Sequence, residues 1–425
     1  MMKKLFCIAS SILMITSLAS CSGEDETFKP AFDVQTSCNI KVIGDYGNFE
    51  ALESEFDRFN EYYPNVQLEY TKIDDYKNTL ATVLEGNDKP NIFFSYTWMM
   101  GDDKYDSVVA HMENISESVL KNNLNYIRPS LINKDKDGNV LMVPVFSRTY
   151  GTLVNEKIFK KEGLSVPKKW SELLSTCATL KEKGYSNPMM GYSLKNSSSL
   201  MNTIAYPQFI AELADNPEAL KKANDLDPSA GEYMRSALTS VKSIIDNGCV
   251  DLNQCDQILD NYNLVILRFF EGDVPMMICA GDTVSGTKKR ESQSEAFINS
   301  PFDYSFHPIP VTEQGGYFID SPSVEFSVNK NCENLEMTNE FMRFLLSDKE
   351  LNEMARSKGL VTPTKQMSVE SVYSPFMDVP SERVISPEVI GVKDSLATQI
   401  RIASFEVGRG NMSIDEAISK YGTFK

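Results

Sequence analysis

"NIKVIGDYGNFEALESEFDRFNEYYPNVQLEY", residues 39–70, changes its apolar period twice. Ile40, Val42 and Ile43 form a short β-branched run that stops at Gly44-Asp45. Phe49, Leu52, Phe56, Phe59 and Tyr63 then recur at helical spacing with acids between them, and Pro64 closes the pattern. Val66, Leu68 and Tyr70 alternate with polar residues, as a strand does. Further on, residues 74–86 predict a second short helix closed by Gly86, and "PNIFFSYT", residues 90–97, a third strand. Strand, helix, strand, helix, strand in this order implies right-handed crossovers and a mainly parallel sheet. Ligands of such sheets bind off the carboxyl ends of the strands. Here those ends are "GDYGN" and "SYTWMMGDD", which puts forward Asp45, Tyr46, Tyr96 and Trp98.

The chain begins Met1-Met2-Lys3-Lys4, and residues 5–18 are apolar or small, too short to span a bilayer. That is the layout of a secretory signal. Leu18-Ala19-Ser20-Cys21 resembles the bacterial lipobox, in which the cysteine is lipidated and becomes the new N-terminus. The expectation is a signal peptide over residues 1–20, a lipid of the palmitate type on Cys21, and a flexible polar tether over residues 21–37. With a formal net charge of −17 the chain repels nucleic acid and anionic lipid heads, so membrane attachment rests on the lipid alone. No later apolar run is long enough to cross a membrane. A length of 425 residues at 42% hydrophobic content makes one large or two medium domains. Eight cysteines are no disulfide framework at this length. Cys249 and Cys255 are a close pair, for which a loop-closing disulfide and two unpaired thiols fit equally.

"NKDKDGNVLMVPVF", residues 133–146, has the early spacing of a calcium loop. Its twelfth position, where a bidentate Glu belongs, is Pro144. Asp137-Gly138 between apolar runs reads instead as a hairpin turn.

"VPVFSRTYGTLVNEKIFKKEGLSVPKKWSELL", residues 143–174, carries a proline-led strand, an aromatic-Gly pair at Tyr150-Gly151, an Asn-Glu-Lys helix start at Asn155, then Pro167, Trp170 and Glu172-Leu173. "FFEGDVPMMICAGD" and "GGYFIDSPSVEFSVNK" follow in order, with a long helix and a closing segment up to Lys365. This ordered set resembles the family 1 bacterial extracellular solute-binding proteins of sugar ABC importers, over nearly the whole mature chain. One departure stands out. Many members carry a tryptophan after the strand that here ends at Ala280-Gly281, and this chain has Asp282-Thr283-Val284.

The resemblance implies an α/β, two-lobed periplasmic-binding-protein-like fold of type II. Each lobe would be a mainly parallel sheet flanked by helices, with the ligand cleft between them. Lobe I would hold residues 38–146 plus 323–363 and lobe II residues 147–322 plus 364–425. It further implies a monomer outside the cytoplasmic membrane, held there by Cys21. That monomer captures a sugar or oligosaccharide by hinge closure and hands it to permease transmembrane subunits with a cytoplasmic ATPase. No cofactor or metal is expected.

A sugar offers hydroxyls and faintly apolar C–H faces, so its site needs flat aromatic surfaces and planar hydrogen-bonding groups. Only two tryptophans are present: Trp98 is the expected stacking platform and Trp170 a packing residue. Loop placement adds Arg148 and Tyr150 at the first crossing, Asn196 and Asp282 after second-lobe strands, and Tyr317 and Asp320 at the second crossing. Enzyme motifs are thin. Ser-x-x-Lys occurs at Ser118, Ser165 and Ser327 without its partner motifs, and His111 and His307 are the only histidines. A surface glycan hydrolase and a binder of peptides or polyamines are the alternative readings.

Overall fold

The computed structural model describes residues 28–47, 49–101, 103–196, 199–258, 262–366 and 371–425. The signal segment, Cys21 and the first part of the tether lie outside the described residues.

Four strands follow one another in the first half: β1 (Cys38–Gly44), β2 (Val66–Lys72), β3 (Ile92–Ser95) and β4 (Val143–Arg148). A second group comprises β5 (Tyr150–Asn155), β6 (Met189–Met190), β7 (Met276–Ala280) and β8 (Tyr304–His307). The chain then returns through β9 (Phe318–Ile319) and β10 (Ser321–Val328), and a late strand β11 (Val384–Ile385) pairs with β9. The first sheet has the order β2-β1-β3-β10-β4 and the second β6-β7-β5-β8.

The helix Glu50–Asn60 forms for the reason its spacing predicts. Leu52, Phe56 and Phe59 fall on one buried face, with Glu50 and Glu53 in the first turn where the helix dipole favours acids. Each of those side chains contributes roughly 1.5–3 kcal/mol of transfer free energy. Tyr63, just beyond, is fully buried and donates to Glu340 at 2.7 Å.

Two separate hydrophobic cores result. One gathers residues from Ile40 to Phe146 and from Val324 to Leu360, the other residues from Leu153 to Ile319 and from Val361 to Tyr421. The chain passes between the sheets at Thr149, returns at Asp320, and crosses a third time near Val361–Thr364.

Three expectations need correction. The sheets are mixed: β1 pairs in parallel with β2 and β3, but β10 runs antiparallel to β3 and β4, and β5 antiparallel to β7 and β8. A strand that re-enters a lobe from its neighbour has no crossover helix to make it parallel. The Asp137-Gly138 turn exists, closed by the Asp135 carboxylate accepting from Asp137 N and Asn139 N, but no strand ladder flanks it, because β4 pairs with β10 instead. The tether is docked over its described part. Phe28 packs edge-on against Tyr62 and Phe344, and Ala31 N donates to Glu340 at 2.8 Å. An aromatic ring in a polar segment buries enough area to fix its neighbours. Of the two readings of Cys249 and Cys255 the structure has the unpaired one: the described cysteines are all free thiols, Cys249 lies against Cys177, and Cys255 accepts from Asn187. Among the described residues no helix is long and apolar enough to cross a membrane.

Candidate functional site

Between the two sheets lies a cleft of about 1730 Å³. Its first-lobe wall is built from the carboxyl end of β1, at Asp45 and Tyr46, and from the end of the helix Asp348–Lys358. Its second-lobe wall comes from the helix Thr287–Glu291 and from β8. Arg148, the exposed last residue of β4, stands at the floor where the lobes meet.

At the end of β1 the aromatic residues form an ordered group. Tyr96 donates its hydroxyl to the Asp45 carboxylate, 2.9 Å from each oxygen, and burial with that carboxylate holds the phenol well above its usual pKa. Trp98 stacks on Tyr96 at 5.4 Å and 9°, meets Tyr105 edge-on at 4.9 Å, and has Lys77 Nζ at 4.7 Å over its ring. Trp98 thus reaches the cleft through Tyr96 and Asp45. Tyr46 stands on the wall itself, backed by Phe49 and Phe94 at 5.3 Å, with its carbonyl accepting from Tyr70 at 2.9 Å.

Two residues past Arg148, Tyr150 is not among the residues that line the cleft and meets Tyr206 edge-on at 5.6 Å. Gly151 must be glycine, since a Cβ there would sit 2.4 Å from the His307 carbonyl on β8. Glu388 accepts from Ser321 at 3.1 Å; burial pushes its carboxyl up to about 7, and Arg148 opposes that rise. In the second lobe Ser305 donates to Glu156 at 2.6 Å and lies 2.8 Å from His307 Nε2. Burial and Lys168 push His307 down to about 4, so the ring is neutral at pH 7. The hydroxyl stands between carboxylate and imidazole. A nucleophilic triad requires the imidazole in the middle, oriented by the acid.

The remaining expected residues are placed elsewhere. Asn196 is half-buried in the segment after β6, and Tyr317 lies 4.1 Å under the Arg383 guanidinium. Asp282 falls in the short helix Gly281–Val284, and its side chain lies outside the described residues. Asp320 is fully buried and accepts from Arg128, Ser130 and Ser147. Its oxygens are occupied by the crossing, not turned to the cleft. Trp170 begins the helix Trp170–Glu182 and packs half-buried against the second core. Sequence reasoning missed Glu50, Glu156, Lys289, His307 and Lys358, all on the cleft wall. A signal existed for one of them: "TKKRE" is a basic run in an acidic chain.

Two α/β lobes joined by three backbone crossings, with a polar cleft between them, define a hinged binding protein. The chain belongs to the family of bacterial extracellular solute-binding proteins, whose model matches residues 44–351. Its fold is similar to that of the apo form of RafE from Streptococcus pneumoniae, with a TM-score of 0.72 at 16% identity over 91% of this chain and 97% of that one. It is similar also to the sugar-binding protein MalE from Xanthomonas citri, with a TM-score of 0.69 at 17% identity over 91% and 95% of the chains. A sugar transporter from Bacillus licheniformis in complex with stachyose matches with a TM-score of 0.62 at 17% identity over 91% and 98%. At these identities the likeness is one of fold. No curated protein sequence matches the chain significantly.

Proposed function

We propose that this protein captures a sugar or oligosaccharide outside the cytoplasmic membrane, anchored by a lipid on Cys21, and delivers it to an ABC permease with a cytoplasmic ATPase. The observation that carries the reading is the cleft between two separately packed lobes in a chain of the solute-binding family. Fold neighbours named for sugars, one of them holding stachyose, support the choice of ligand class. The Tyr46 ring on one wall and hydrogen-bonding groups on both suit a hydroxyl-rich ligand with apolar faces. Asp45, Tyr46 and Arg148 are the contacts this reading favours, with Tyr96 and Trp98 holding Asp45 in place and Tyr150 beside Arg148 at the crossing. The work is hinge closure, not bond chemistry, and the order Glu156–Ser305–His307 supports that.

The test is a thermal-shift titration of the mature domain against mono- and oligosaccharides. A ligand at 100 times its dissociation constant adds about 2.7 kcal/mol of stability. Release of reducing ends from an offered glycan would favour a hydrolase and sink the proposal.

A further inference from the structure

The charge of the cleft runs against that of the chain. The whole protein carries −17, yet six cationic side chains line the cleft against five carboxylates. Most of these cations have structural partners. Lys288 pairs with Glu291 at 3.0 Å, Arg356 pairs with Glu353, and Arg290 is buried against Asn263. Arg148 acts on Glu388.

Lys289 and Lys358 differ. Neither has a carboxylate within ion-pair distance among the described residues, and they stand on opposite lobes. Lys358 is half-buried, with its ammonium 5.2 Å from the Tyr46 ring centre and 5.6 Å from that of Phe49. Burial is the main force depressing its pKa, Lys289 across the cleft adds to it, and Glu50 on its own lobe opposes both. A basic residue in the last turn of a helix is ordinary, since the dipole favours it there. Arg356, which is exposed, and the half-buried Lys358 both meet that description in the helix Asp348–Lys358. The dipole does not explain why one of them is folded inward over aromatic rings, facing a second ammonium on the other lobe. Closing the lobes would bring two like charges together in a medium less polar than water. An anion between them reverses the sign of that interaction.

We propose that the ligand is an acidic oligosaccharide, whose carboxylate or sulfate group is seated between Lys289 of one lobe and Lys358 of the other. This rests on the saccharide reading above and narrows it. The anion binds the closed arrangement better than the open one, so it promotes closure, while a sugar face lies on Tyr46 beside it. A neutral saccharide of the same length leaves the two ammonium groups opposed.

The experiment is calorimetric titration of the mature domain with four probes: trigalacturonate, its carboxyl-reduced neutral counterpart, a sulfated chondroitin tetrasaccharide and raffinose. An acidic probe should bind about tenfold tighter than the neutral ones, the strength of one charge-assisted contact. That preference should shrink as salt is added. Whichever acidic probe wins identifies the anion. Lys358→Gln and Lys289→Gln should each bring the acidic-to-neutral ratio toward one, and Lys358→Arg should keep it. Neutral probes that bind as tightly as acidic ones, or a ratio unmoved in both glutamine variants, would overturn the inference and leave the saccharide reading standing. Failure of all four probes to bind would overturn both.

Discussion

Arg128 and Asp320, 192 residues apart, form a buried two-point ion pair: Nε donates to Oδ2 at 2.9 Å and Nη2 to Oδ1 at 2.8 Å. The remaining donors of Arg128 go to Ser147 Oγ at 3.1 Å and to the carbonyls of Thr362 and Thr364 at 2.6 and 3.0 Å. Those partners belong to three chain segments, and they are the three that pass between the lobes. One guanidinium therefore ties together every crossing, and its planar, fixed fork is suited to that task.

Removing one member of this pair leaves the other charge buried without compensation. Arg128→Ala should lower stability by about 3–5 kcal/mol in denaturant unfolding. Arg128→Met combined with Asp320→Leu should recover most of it. A single Arg128→Ala variant as stable as the parent would show that the crossings hold without the pair.

Glu325, on β10, is buried and accepts from Thr97 at 2.9 Å, while its other oxygen has no partner. Burial, the largest cause, pushes its carboxyl up to about 8. The folded state thus holds a proton that the unfolded state releases near pH 4.5. Stability from this group is present at pH 4.5 and is lost as the pH rises toward about 8. Glu325→Gln keeps the shape without the charge. Its melting temperature should fall less than the parent's between pH 5 and 8, by calorimetry in matched buffers.

His307 acts with the opposite sign. Its folded pKa of about 4 lies below the ordinary 6.5, because burial disfavours the imidazolium. Stability should therefore drop as pH falls from about 6.5 to 4, and His307→Gln should flatten that limb. Glu325 removes stability as pH rises from about 4.5 to 8 and His307 as pH falls from about 6.5 to 4, so the two variants should change the slope with opposite sign, and a variant that changed it with the wrong sign would refute its assignment.

Trp98 and Trp170 are both packed against a core and differ in their reach to the cleft. Trp98→Ala removes the ring stacked on Tyr96, which holds Asp45 at the cleft. Affinity for the identified ligand should fall by about 1 kcal/mol, alongside a stability cost from the lost contacts with Tyr96 and Tyr105. Trp170→Ala removes half-buried packing at a helix start and should cost about 2 kcal/mol of stability with little effect on affinity. Titration and unfolding of both variants decide the matter, and a loss of affinity in Trp170→Ala but not in Trp98→Ala would reverse the assignments.

Cys21→Ser should move the protein from the membrane fraction to the soluble one, or leave its precursor uncleaved. Fractionation and N-terminal mass are the readouts. A variant that stays with membranes at the parent's mass would remove the anchor from the account.

The local elements and the class of protein follow from the order of residues alone. Phe49, Leu52, Phe56 and Phe59 face inward at the spacing that predicts a helix, and "GDYGN" ends a strand at the cleft, so Asp45 and Tyr46 were legible. The ordered motifs from Pro144 to Lys365 carried the two-lobed fold and its family. What depends on segments meeting from far apart emerges only in the folded chain. Periodicity says that residues 321–328 form a strand, but not that it inserts antiparallel between β3 and β4. It offered Asp320 as a ligand contact, whereas Arg128 on a remote turn claims that carboxylate for the crossings. Nor does it place Lys289 opposite Lys358, because each reaches the cleft on a different lobe. Periodicity records which face of an element is buried, and it carries no information about which charges the folded chain sets against each other.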